Sequence, residues 1–124
     1  MAQFTDRELD VMAVLWRHGA STVAEVREHL DDPLAYTTVL TVLRTLEEKG
    51  YVGHREEGKA HRYVAKVTEA AARRTALARV LDRVFDGSAE LLLTHLVKDR
   101  RLSAEEIQRL RALMDDAAKR GKKP

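Results

Sequence analysis

The chain has 124 residues, 44% of them hydrophobic, and sets 22 Lys and Arg against 20 Asp and Glu for a formal charge of +2, a length that accommodates one or two small domains. It contains no Cys, which removes disulfides, thiolate metal sites, iron–sulfur ligation and cysteine nucleophiles, and fits a reducing compartment. The opening MAQFTDRELD has no basic leader followed by an apolar stretch, and runs such as Leu91-Leu92-Leu93 fall far short of a bilayer span, so we expect an unprocessed cytoplasmic protein with no membrane insertion.

Thr5-Asp6-Arg7-Glu8 has the spacing of a capping box, in which a hydroxyl and a carboxylate satisfy each other's orphan amides at a helix start. The helix it opens carries an apolar stripe of Leu9, Met12, Ala13 and Trp16, with Trp16 expected in the core, and stops at Gly19. A second box, Thr22-Val23-Ala24-Glu25, opens a short helix with Val23, Val26 and Leu30 on one side. Asp31-Asp32-Pro33 is expected to end it, because Pro disfavours helical geometry in the residue before it.

A third helix is predicted from about Tyr36 to Lys49, with Val39, Val42, Leu43 and Leu46 on one face and Gly50 at its C-terminal cap. Its other face is Thr37, Thr38, Thr41, Arg44 and Thr45. The period then changes to that of strands, Tyr51 to Arg55 and Ala60 to Val64, around a four-residue loop of Glu56-Glu57-Gly58-Lys59. Three short helices followed by a β-hairpin is the order of a winged helix-turn-helix.

From Thr68 the pattern is helical again, with Leu77, Val80, Leu81, Val84 and Phe85 in register up to Asp86-Gly87. Ser88 caps a short helix, Ala89 to Val97, and a charged turn leads to a third box, Ser103-Ala104-Glu105-Glu106. The last helix aligns Ile107, Leu110, Met114 and Ala117, and the tail from Lys119 to Pro124 is expected to fray. The predicted fold is thus mainly α with a small β-hairpin: a winged helix-turn-helix over residues 1–66 and a three-helix dimerisation arm over 67–124. Dimerisation is expected because Leu77, Leu81, Val84, Phe85, Leu91, Leu92, Leu96, Leu110 and Met114 exceed what a three-helix tail can hide from water.

A helix with one side packed and the other dressed in Thr and Arg suits the major groove, where Arg can bridge two guanine acceptors and a Thr methyl can meet that of thymine. At about 100° per residue, Thr37, Thr41 and Arg44 fall within roughly 60° of one direction, and Thr38 and Thr45 stand to one side, nearer phosphate. A solvated helix face is the plain alternative, but β-branched Thr is a poor choice for helix stability alone. Residues 1–66 carry nine basic and eleven acidic side chains, so global charge does not mark the DNA-binding half. The local strip from His54 to Arg62 does, and Arg55, Lys59 and Arg62 there suit phosphates, although a charged hairpin can also be an ordinary solvated edge. His54 and His61 on facing strands make a weak metal pair without a third ligand. His18, His29 and His95 stand alone. No glycine-rich phosphate loop, HExxH or nucleophile elbow is present, so we expect no enzyme, no cofactor and no metal.

The stretch Ala35-Tyr36-Thr37-Thr38-Val39 through Leu43, Leu46 and Lys49-Gly50 to Arg62-Tyr63 closely resembles the penicillinase-repressor family, the BlaI, MecI and CopY type. So do Glu8-Leu9-Asp10-Val11-Met12 with Trp16, Phe85-Asp86-Gly87-Ser88, and Leu102-Ser103-Ala104-Glu105-Glu106-Ile107, so the resemblance spans nearly the whole chain. It implies a homodimer with intertwined C-terminal helices, bound to a double-stranded operator with palindromic TACA/TGTA-like half-sites. It also implies repression of β-lactam resistance or a related stress response, with release when the repressor is inactivated. In the β-lactam branch a membrane sensor protease triggers cleavage in the dimerisation region. The matching segment here is Thr94-His95-Leu96-Val97, which puts the switch at His95 and Leu96 but lacks the Asn-Phe pair of staphylococcal members. The absence of Cys excludes the cysteine-based copper sensing of another branch. Two other readings stand beside this one: a ligand-responsive winged-helix regulator, disfavoured by having only six Phe, Trp and Tyr residues to line a pocket, and a winged-helix protein-interaction module that does not bind DNA.

Overall fold

In the computed structural model, which describes residues 3–121, the elements run α1 (Asp6–His18), β1 (Ser21–Thr22), α2 (Val23–His29), α3 (Tyr36–Glu48), β2 (Val52–Glu57), β3 (Ala60–Ala65), α4 (Glu69–Val84), α5 (Ala89–Lys98) and α6 (Ala104–Lys119). All three expected capping boxes form, at Thr5 with Glu8, Thr22 with Glu25 and Ser103 with Glu106. Ser88 caps α5 by accepting from the Leu91 amide. Each satisfies amides that a helix start otherwise leaves without partners.

The chain divides into two compact units within α4, the first ending at Arg79 and the second beginning at Val80. The sequence placed its division at 66/67. In the structure the segment leading into α4 and the first turns of α4 go with the first unit: the Trp16 indole donates to the Val67 carbonyl at 2.9 Å, and Ala72 is buried.

The core of the first unit is Val11, Met12, Val14, Leu15, Val23, Val26, Val39, Leu43, Leu46, Val52 and Tyr63. The face of α1 differs from the expected stripe. Val11, Met12, Val14 and Leu15 are buried together with Glu8, while Leu9 is 39% exposed. The stripe through Glu8, Val11, Met12 and Leu15 is as regular as the expected one, but it begins with a carboxylate and so does not read as apolar. Trp16 is half-buried at the margin of the core, its ring edge-on to Phe4.

Two further details depart from expectation. Helix α2 ends at His29, and Leu30 is already extended (φ −74°, ψ 140°) three residues before Pro33. The hairpin loop is two residues, not four: Glu57 pairs with Ala60, so Glu56 and Glu57 belong to β2. Gly58, at φ 63°, takes the left-handed first position that a two-residue turn of this hand requires. The hairpin is also part of a larger sheet, ordered β1-β3-β2 and antiparallel throughout. Strand β1 has only two residues, pairing Ser21 with Tyr63 and Thr22 with Arg62. Such a pair carries no periodic signal, and Thr22 doubles as the cap of α2.

In the second unit α5 runs one residue past its expected end, to Lys98. No residue from Arg73 to Gly121 is buried. Leu77, near the end of the first unit, is 52% exposed, and Val84, Leu91 and Met114 of the second are 66%, 40% and 47% exposed; Leu81, Phe85, Leu92, Leu96 and Leu110 are half-buried. The tail expected to fray is helical at Lys119 and turns at Arg120 and Gly121; residues 122–124 lie outside the described residues. No helix among the described residues is long and apolar enough to cross a membrane.

Candidate nucleic-acid interface

Helix α3 separates its faces cleanly: Val39, Leu43 and Leu46 are wholly buried, and Thr37, Thr38, Thr41 and Arg44 are exposed. Thr45 is half-buried at the edge of that face. The Thr41 hydroxyl donates to the Thr37 carbonyl at 2.9 Å and the Thr45 hydroxyl to the Thr41 carbonyl at 3.0 Å. Their protons are therefore engaged within the helix, which leaves methyl groups and oxygen lone pairs for an outside partner. Arg44 makes no hydrogen bond or ion pair among the described residues, so its guanidinium fork is free.

Sequence reasoning passed over two features of this face. Tyr36, the first residue of α3, is 49% exposed and stands beside the Thr face as an aromatic donor. Ala35, the N-cap, offers no side-chain hydrogen bond, so the first-turn amides of α3 keep their donors for an external acceptor. The visible signal for both was a helix start without Ser, Thr, Asp or Asn, in contrast to the other five helices, capped by Thr5, Thr22, Thr68, Ser88 and Ser103.

Helix α3 is anchored at its far end. Lys49, its C-cap, places Nζ on both oxygens of Glu8, a carboxylate only 4% exposed. Burial by itself would raise the Glu8 pKa; the hydrogen bond and charge of Lys49, with the Thr5 amide and hydroxyl, overcome it and hold the group below the usual carboxylate range.

On the wing, Arg55 and Lys59 are exposed. Arg62, expected on a phosphate with them, is committed elsewhere. Its guanidinium donates to both oxygens of Glu57 at 2.8 and 2.9 Å, to Glu25 Oε1 at 2.8 Å and to the Ala20 carbonyl at 3.0 Å. Its side chain is 18% exposed. The reason is register: Arg62 sits opposite Thr22 at the root of the sheet, where β1 delivers the start of α2. His54 and His61 stack face to face, their centroids 4.3 Å apart and their planes 9° from parallel. His54 Nδ1 lies 2.5 Å from Glu47 Oε2, so the pair fastens the wing to the end of α3. Parallel rings do not converge on a common point, and no metal-holding group of three or more His, Cys, Asp or Glu occurs among the described residues.

In the second unit, His95 is exposed and Leu96 half-buried within α5. Phe85 meets the His95 ring edge-on at 5.6 Å. A groove of about 290 Å³ is lined by Leu93, Val97, Leu102, Ile107, Leu110 and Met114 with Arg111.

The sequence profile described as penicillinase repressor matches residues 4–116. The chain is similar to the penicillinase repressor of Bacillus licheniformis, 28% identical over 122 residues that cover 97% of this chain and 95% of that one. It is also similar to the transcriptional regulator BlaI of Mycobacterium tuberculosis, 38% identical over 135 residues that cover all of this chain and 94% of the relative. Among solved structures, the solution structure of the DNA-binding domain of the repressor BlaI matches with a TM-score of 0.50 and 33% identity, over 55% of this chain and 85% of that domain.

Proposed function

The chain belongs to the penicillinase repressor family, and from that membership we propose that it is a transcriptional repressor holding a palindromic operator as a homodimer. The observation that carries the reading is α3, whose apolar side is wholly buried in the first unit while Thr37, Thr38, Thr41 and Arg44 stand exposed. Such a helix enters the major groove with Arg44 and the Thr methyls against base edges. Thr45, Arg55 and Lys59 stand where phosphates pass, and contacts there set register and affinity without reading sequence.

The homodimer is supported by the second unit, which buries none of its described residues in one protomer. Leu77, Leu81, Val84, Phe85, Leu91, Leu92, Leu96, Leu110 and Met114 supply the apolar surface that a second copy covers. Two copies then present two α3 helices, which matches a two-fold operator. The gene under control is one of β-lactam resistance or a related stress response, and a membrane sensor protease is the partner that releases the repressor. The bond that matches the family's cleavage site, His95–Leu96, is in α5, so α5 has to open locally before the backbone there can enter a protease.

The test is binding of the full chain to a duplex with TACA/TGTA inverted repeats and to a scrambled duplex, each across a salt series. A preference for the palindrome of about 4 kcal/mol or more is expected of a specific site. Equal binding to both duplexes, or none, would sink the operator assignment.

A further inference from the structure

We propose that Arg62 is a positioning residue for DNA binding: by bridging Glu25 of α2 and Glu57 at the wing tip, it fixes where Arg55 and Lys59 stand relative to α3. The inference rests on the operator-binding reading above and assigns Arg62 a part in it other than contact with DNA.

The geometry carries it in three steps. First, apart from Arg62 and the stacked His54–His61 pair with its link to Glu47 of α3, the outer wing is held among the described residues only by its own strand pairing. Strand β1 pairs with β3 only through Ser21 and Thr22, so from Arg55 to His61 the wing is a two-stranded ribbon, an arrangement marginal in isolation. Second, Arg62 reaches three separate places at once. Its Nε and Nη2 grip Glu57 as a two-pronged fork, and its Nη1 is shared by the Ala20 carbonyl and Glu25 Oε1. That Glu25 oxygen also accepts from the Thr22 amide at 3.0 Å, so the clamp ends on the capping box of α2, a fixed point of the helix-turn-helix. Third, the bonds of Arg62 oppose a phosphate contact. One guanidinium already bonded to two carboxylates and a carbonyl has no donor face turned to a phosphate, while Arg55, opposite it on β2, adds a second positive charge near Glu57. Both carboxylates are held below their usual range, Glu25 by the Thr22 amide and then Arg62, and Glu57 by Arg62, so the cluster stays charged at neutral pH. Without Arg62 the two acids would repel and the tip would move away from α2.

The test uses the full-length protein as Arg62→Gln, Arg62→Lys and Glu25→Gln, with affinity for the palindromic duplex across a salt series. Hydrogen exchange at the wing-tip amides, residues 56–60, is measured on the free protein. Arg62→Gln should weaken operator binding roughly tenfold, the scale of one lost contact, with an unchanged slope of log affinity against log salt. Lys should not rescue, because a single ammonium cannot span both carboxylates and the carbonyl. Glu25→Gln should also weaken binding although it removes a negative charge; Gln keeps the capping box, so loss of α2 is not the cause. Wing-tip exchange should quicken in all three variants. A slope reduced by about 0.9 in Arg62→Gln, the mark of one lost phosphate contact, together with rescue by Lys or tighter binding by Glu25→Gln, would overturn the clamp. If the wild type fails to prefer the palindrome, the operator reading falls, and exchange still decides the clamp: unchanged wing-tip rates in Arg62→Gln defeat it.

Discussion

Lys49 Nζ lies 2.9 and 2.8 Å from Oε1 and Oε2 of Glu8, joining the C-cap of α3 to the capping box that starts α1. The pair is a stability element that sets the position of the candidate recognition helix. Lys49→Met should cost about 1–2 kcal/mol in urea unfolding. That is less than the several kcal/mol of a wholly buried pair, because the Lys49 side chain is 38% exposed and partly screened by water.

The same pair predicts an acid limb in the stability profile. The folded-state pKa of Glu8 lies below its ordinary value of 4.5: burial raises it, and the bonds to Lys49 and Thr5 more than offset that. A depressed carboxylate contributes stability fully above its unfolded pKa and loses it as pH falls through the folded one. Melting temperature should therefore drop as pH falls below about 4.5, and Glu8→Gln, which retains the capping box, should show a smaller drop at a lower starting stability. Parallel acid limbs for the two proteins would remove Glu8 from the account.

Arg44 and Lys59 should separate by the kind of loss they produce. Arg44→Ala is expected to cost about 1–3 kcal/mol on the palindrome and to relax base preference, whereas Lys59→Ala should weaken all duplexes alike and lower the salt slope by about 1. Gel-shift titrations on palindromic and scrambled duplexes read both; no change in either quantity for Arg44→Ala would take it out of the interface.

Leu91 and Met114 are already 40% and 47% exposed in a single protomer, so a charge at either should leave the protomer fold intact and act on association. Sedimentation at micromolar concentration should give a dimer for the wild type and monomers for Leu91→Asp and Met114→Asp, with helical content preserved. A monomeric wild type would overturn the homodimer.

Much of the fold was legible because its signals are local. At a helix start, a Thr or Ser three residues before a Glu closes a ring of two hydrogen bonds, and all three expected boxes formed; Thr45 and Glu48 share the spacing inside α3, where the Thr45 hydroxyl bonds the Thr41 carbonyl instead. The two faces of α3 follow from its 3.6-residue period in the same way. Glu8 was read correctly as the capping-box acid, but the buried stripe of α1 was missed because a carboxylate at its head looks like solvent surface until Lys49, 41 residues away, arrives to neutralise it. Arg62 was grouped with the phosphate contacts for its place in a basic strip; that it bonds Glu57 and Glu25 was not legible, because Glu25 is 37 residues away and arrives only with β1 and α2.

By itself, then, the sequence determined where the helices start, which side of α3 is apolar, and that a Gly-containing turn joins two strands, since each depends on contacts within a few residues. Only the tertiary structure decided that Ser21 and Thr22 add a third strand, that Glu8 lies in the core, that His54 and His61 stack, and that Arg62 faces inward to Glu25 and Glu57. All but the stacking of His54 and His61, which are neighbours on one hairpin, bring distant segments together, and register between such segments is set by the packing of the whole unit, not by any stretch of the chain alone.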